Sequence, residues 1–174
     1  MDDWMRPARA AKGVAAMQWV TRTGVRIDRA AMIWLIRRSI DPDAEIIFQP
    51  DAEAAAFAET TGAVLFHHAK SEFRNTGART GFDALRVHYD LQDPALAVMA
   101  LVLRGAETND RALTPWSAGL WALGSGLRRL TADDEQFVAE MSRLLDGLYR
   151  FCQDQLAPAA IPPRRPAGQA TDGA

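Results

Sequence analysis

MQWVTRTGVRIDRAAMIWLIRRSIDPDAEIIFQ, residues 17–49, is the stretch whose reading decides the fold. Its first six residues, MQWVTR (17–22), have the Trp, Val and Thr content of a short buried strand, and Gly24 ends it. Then come seven consecutive apolar residues, Ala30 to Ile36, with arginines on both sides. They read as a helix that Asp28 opens, as N-cap or first-turn acid, and that runs to about Ile40, where Asp41-Pro42 forces the chain out of helical geometry. A helix apolar all round is buried on all sides, so Ala30 to Ile36 is predicted core. AEIIFQ (44–49) reads as the second strand.

Working outward, DAEAAAFAETT (51–61) is made of strong helix formers with Gly62 as the stop, and AVLFHH (63–68) reads as a third strand. Strand, helix, strand, helix, strand with short links is the pattern of parallel βαβ units with right-handed crossovers. The second half changes character. Helices are predicted at about 81–90, at 94–105 with Asp93 as cap and Pro94 at the first position, at 115–129 with Thr114 as cap, and at 132–155. Thr131 and Asp134 are spaced like a capping box. The expected fold is therefore α/β: a small, mainly parallel sheet built from βαβ units, followed by a helical-bundle half. Residues 1–16 lack periodicity and 157–174 are rich in Pro, Ala and Gly, so both ends are expected to be flexible or disordered, leaving one domain at 17–156.

Composition narrows the function. The chain has 174 residues, 48% hydrophobic and 24% charged, the profile of one domain with a real core. A formal charge of -2 and a pI near 5.9 offer no bulk attraction for nucleic acid or anionic membrane. No apolar window reaches spanning length. Cys152 is the only cysteine, so neither an internal disulfide nor a CxxC motif can form, and the N-terminus has no apolar run of signal-peptide length. A reducing cytoplasm is the expected setting. Lys12 and Lys70 are the only lysines, so nearly all the positive charge is arginine, the residue suited to planar, bidentate anion contacts.

The first strand-to-helix turn carries Arg22, Arg26 and Arg29 beside the free N–H groups of a helix, at the sheet edge where ligands of parallel sheets bind. An anion is favoured there, with Asp28 capping the helix or orienting an arginine. Solvated surface arginines are the competing reading. Arg37 and Arg38 complement the helix dipole. His67 and His68 follow the third strand, and since neighbouring strand residues point to opposite faces, at most one is expected to face the site. His88 lies in a helical context. A zinc-type site would have to recruit Asp28, Glu72, Glu107 or Asp110, and no spacing supports one. No GxGxxG follows a strand and no GxSxG or HExxH occurs, so no cofactor and no recognised catalytic mechanism is predicted. GSGLRR (124–129) lies in a helical pattern, where its glycines would permit close helix packing. Cys152 follows the apolar residues Leu144, Leu145, Leu148 and Phe151 and reads as buried and inert; Trp19, Trp34, Trp116 and Trp121 read as core aromatics.

IDRAAMIWLIRRSIDPDAEIIF (27–48) is similar to the opening of the C-terminal domain of the ChrB type of chromate-resistance proteins. SEFRNTGARTGFDAL (71–85), LRGAETND (103–110) and SAGLWALGSGLRRLTADDEQFVAEMSRLLDGLYRFC (117–152) resemble its later segments in the same order. The resemblance covers about residues 18–154. It implies a domain associated with chromate response, here without the N-terminal regulatory region of fused members. The family pattern carries histidine near Asn75, cysteine near Thr80 and histidine near Glu135; none is present, which puts any metal or oxidant chemistry of those positions in doubt.

Chromate is a tetrahedral dianion shaped like sulfate, and a binder needs several fixed N–H donors. The expected first shell is Arg22, Arg26 and Arg29 with Asp28, plus Arg104 from the matched Arg-Gly-Ala segment; Arg104 could equally pair with Glu107 or cap its own helix. His67, Glu72 and Glu107 form a secondary set. Two alternatives stay open. One is a metal-dependent enzyme using Asp28, Glu72 and His67. The other is a protein-interaction subunit, in which case the helical half exposes an apolar patch and the chain is a homodimer.

Overall fold

The computed structural model describes residues 17–108 and 110–156. The expectations for residues 1–16, including Trp4, and for 157–174 lie outside the described residues. Strand β1 (Gln18–Arg22) is central, with β2 (Glu45–Gln49) on one side and the two-residue β3 (Val64–Leu65) on the other, all parallel. Helix α1 (Ile27–Leu35) joins β1 to β2, and α2 (Asp51–Thr61) joins β2 to β3. Four helices follow: α3 (Gly81–His88), α4 (Pro94–Glu107), α5 (Ser117–Leu130) and α6 (Asp134–Leu156). The α/β reading and the order of elements hold.

Two crossovers that run in opposite directions across the sheet, from β1 out to β2 and from β2 back past β1 to β3, and share one hand must put their helices on opposite faces. Alternation along β1 divides its side chains accordingly. Val20 packs with Ala54 and Ala63 on the α2 face, in a small cluster. Trp19 packs on the other face, against Phe66, Phe73 and Tyr89, with ring centroids 6.2–6.3 Å apart. That second face holds the main core, and α1 lies at its centre, touching α3, α4, α5 and α6. The all-apolar run is explained by this enclosure: every residue from Ala30 to Ile36 is at most 4% exposed.

Several element ends depart from the sequence-based expectation for identifiable reasons. The first helix widens into a π-helical segment, Ile36–Ile40, closed by a 2.7 Å bond from the Asp41 N–H to the Ile36 carbonyl. The Asp41 carboxylate then accepts the Met17 N–H at 2.9 Å. The third strand stops at Leu65 instead of residue 68 because His67 takes a left-handed backbone (φ 51) and donates its N–H to the Phe73 carbonyl at 2.8 Å. Thr80 and Asp83 form a true capping box for α3, whereas Thr131 forms none. Asp133 instead accepts the Gln136 N–H at 2.8 Å. Helix α5 starts after Trp116, two residues later than predicted, because the Thr114 hydroxyl is bonded to that of Ser117. Trp19 and Trp34 are buried as expected, but Trp116 and Trp121 are 37% exposed. Cys152 is fully buried, and burial pushes its thiol up to about 11. No helix among the described residues is long and apolar enough to cross a membrane.

Helix α4 meets α5 through a glycine. A Cβ on Gly105 would lie 2.7 Å from the Ser117 Cβ, and Ser117 is itself held by a 3.0 Å bond to the Val102 carbonyl. Gly105→Ala is therefore expected to lower stability by about 1–2 kcal/mol in urea unfolding, opposite in sign to the gain of about 1 kcal/mol that alanine brings to an open helical position. A stabilised variant would show that Ser117 yields freely.

Candidate functional site

The turn from β1 into α1 carries three arginines, and each goes to a different place. Arg29 turns inward. It is 2% exposed, and its guanidinium donates to the carbonyls of Arg22 and Gly24 and, at 3.2 Å, to that of Thr23. These carbonyls belong to the last residue of β1 and the two that follow it, where the strand ladder gives out, and the arginine supplies donors there. Arg22, half-exposed, leans toward Asp51 at the start of α2, Nε to carboxylate 3.6 Å. Arg26 is exposed at the N-cap position of α1, makes no cap bond, and faces α5. The same turn is pinned from α6: the Asp134 carboxylate accepts the N–H groups of Gly24 and Val25, each at 2.8 Å.

Asp28 meets His67. The carboxylate contacts Nε2 of the imidazole, both side chains are 12% exposed, and Asp28 also accepts the Arg29 N–H at 2.8 Å. Burial pushes the Asp28 pKa up, but the His67 contact and that N–H outweigh it and hold the group below its ordinary value. Nδ1 of His67 is buried without a hydrogen-bond partner. Glu107, at the end of α4, is within electrostatic reach of the pair. Its own burial and then the Asp28 charge push it up to about 7, against the pull of Arg26, His67 and Arg111.

In front of His67 lies a hollow of about 310 Å³ at the carboxyl end of the sheet, lined by Arg22, Asp51, His67, His68, Arg74 and Asn75. This is the crevice position at which parallel sheets bind ligands. Both histidines line it, contrary to the strand-alternation argument, because β3 has already ended and the left-handed His67 breaks the alternation. His68 is oriented by accepting the Lys70 N–H on Nδ1 at 3.1 Å. Arg74 lies in the family-like segment 71–85, where no spacing singles it out. One of its nitrogens donates to the carbonyls of Ala69 and Ser71, at 2.7 and 3.2 Å, which fixes the guanidinium over the loop.

Other expected members stand apart. Arg104 bonds Asp83 at 3.0 Å, so it ties α4 to the start of α3 and does not pair with Glu107. Glu72 is exposed and lies 3.5 Å from His88. Asp28, Glu72 and His67 thus do not assemble as one set, and no group of three or more His, Cys, Asp or Glu side chains placed to share a metal ion occurs among the described residues.

Residues 19–152 match the family described as "ChrB, C-terminal domain". The chain belongs to that family. It is also 28% identical over 144 residues to Protein ChrB of Cupriavidus metallidurans, an alignment covering 82% of this chain and 43% of that protein. The chain therefore spans less than half the length of this relative. No solved structure matches it.

In this ChrB C-terminal domain the family-like segments build scaffold as much as site. The Arg-Gly-Ala segment supplies the Arg104–Asp83 tie and the Gly105 contact. Of the positions where the family pattern differs, Asn75 lines the hollow and accepts the Gly81 N–H at 2.7 Å, Thr80 caps α3, and Glu135 lies on α6 beside a separate concavity with Arg37 and Phe48.

Proposed function

We propose that this domain, whose ChrB family associates it with chromate resistance, holds a tetrahedral oxyanion such as chromate in the hollow at the carboxyl end of its sheet. The carrying observation is the convergence of Arg22 from β1 with His67, Arg74 and Asn75 from the loop after β3 around one concavity. Guanidinium donors match the tetrahedral dianion, and the Asp28 carboxylate behind His67 orients the ring at the wall of the hollow. Asp51 is the competing anion for Arg22, and an arriving oxyanion would have to draw the guanidinium from it.

Calorimetric titration of the full chain with chromate, sulfate, molybdate and phosphate tests this reading. Arg22→Ala and Arg74→Ala are each expected to weaken chromate binding about tenfold, the effect of losing one charge-assisted contact. Negligible heats for all four anions, or unchanged affinity in both variants, would remove the hollow as an oxyanion site.

A further inference from the structure

A second hollow, of about 400 Å³, opens on the other side of the α1 start, between α1, α5 and α6. We propose that it is a binding site for a small organic anion with a flat apolar body, an aryl carboxylate, sulfonate or phosphate, and that it is independent of the oxyanion hollow.

The site is built by the GSGLRR segment. Gly124, Ser125, Arg128 and Arg129 of α5 all line the hollow, with Trp121 one turn earlier. Their spacing puts them along one side of the helix. A Cβ on Gly124 would sit 2.6 Å from the Ile27 Cδ1, so the glycine lets α5 approach the first turn of α1 at this point. That approach brings Arg26 opposite Arg129 and leaves Ile27 and Phe137 among the lining residues.

The lining is two-sided in character. Ile27, Phe137 and the Trp121 indole are apolar, and Arg26, Arg128, Arg129 and the Ser125 hydroxyl supply donors. No carboxylate lines it. Arg128 is held in place by a 3.4 Å contact to Asp134 and a 3.0 Å bond to the Thr131 hydroxyl. Asp134 is itself committed to the Gly24 and Val25 N–H groups. Arg26 and Arg129 are exposed and make no ion pair within 4 Å among the described residues; Arg26 is within electrostatic reach of Glu107, which does not line the hollow, so both guanidinium groups can turn to a ligand. Trp121 is braced by the Arg111 guanidinium, 4.2 Å from the ring centroid. A bare inorganic oxyanion would use the arginines and leave the apolar surface wet. An organic anion uses both, and the volume lies in the range of small-molecule sites.

Phenyl phosphate and inorganic phosphate are the probes, titrated separately into the full chain with calorimetric and tryptophan-fluorescence readouts. Phenyl phosphate is expected to bind at least about tenfold more tightly than phosphate, through burial of its ring. Its fluorescence change should vanish in Trp121→Phe. Arg129→Ala and Arg26→Ala, both at exposed positions where the fold is not at stake, should each weaken it about tenfold. Arg22→Ala should leave it unchanged, which separates this site from the oxyanion hollow. Equal affinity for the two probes, or phenyl phosphate binding indifferent to both Arg129→Ala and Arg26→Ala, would overturn the assignment.

Discussion

Arg29→Met is expected to destabilise the domain by about 3–4 kcal/mol in urea unfolding at pH 7, with little change in the slope of the transition. Methionine fills much of the same space, so the loss is not chiefly a cavity. It is the loss of donors: the carbonyls of Arg22, Thr23 and Gly24 all turn to this one guanidinium. These acceptors are only part-buried, so each lost partner costs toward the low end of roughly 1–3 kcal/mol, and the three together set the size of the effect. Part of that is offset because burial, which lowers the Arg29 pKa, already penalises the charged side chain in the native fold. Arg29→Lys should recover only a fraction, since a single ammonium cannot span the three carbonyls with the planar fork of arginine. If instead Arg29→Met unfolds like the wild type and only oxyanion affinity falls, then the side chain serves a ligand and the turn needs no internal donor.

Glu107→Gln should change the pH dependence of stability strongly. The folded protein holds this carboxyl at about 7 against an ordinary 4.5, first through burial and then through the Asp28 charge. Between those two values the native state keeps a proton that the unfolded chain has released, so stability falls as pH rises through the window. Above pH 7 the deficit is complete, on the order of 2–3 kcal/mol after allowance for partial exposure. The glutamine variant carries no such charge. It should match the wild type near pH 5 and exceed it by about that amount at pH 8, measured by thermal or urea unfolding in matched buffers. Asp28 works in the other direction: its pKa is lowered, so its stabilising contribution is present above the ordinary carboxylate range and lost only as pH falls through the folded value. The two effects occupy different windows and can be separated. An unchanged pH profile in Glu107→Gln would place the glutamate in contact with water instead of the Asp28–His67 pair.

In the candidate site the sequence marks a place and not the contacts. The turn after β1, the carboxyl edge of the sheet and the involvement of Asp28 and His67 follow from where a strand meets a helix start. Arg74 carried no such mark, because a loop of fifteen residues, 66–80, has no periodicity from which a direction can be read. Asp134 was misleading for a local reason: its spacing from Thr131 imitates a capping box, while its real partners are the N–H groups of Gly24 and Val25. GSGLRR showed that helices pack closely without showing which ones; Ile27 supplies the answer.

By itself the sequence determined the βαβ order, the buried run Ala30 to Ile36 of the first crossover helix, the helix caps at Asp93 and Gly62 and the burial of Cys152. Each is set by hydrophobic spacing or by backbone chemistry within a few residues, so neighbours in the chain suffice to decide it. Only the tertiary structure decided where the charges point. A guanidinium sits on a long flexible stem and settles on whichever acceptors lie within reach in space. For Arg29 those are unserved strand-end carbonyls, for Arg22 a carboxylate on α2, and for Arg26 a hollow formed by a helix that arrives about a hundred residues later in the chain.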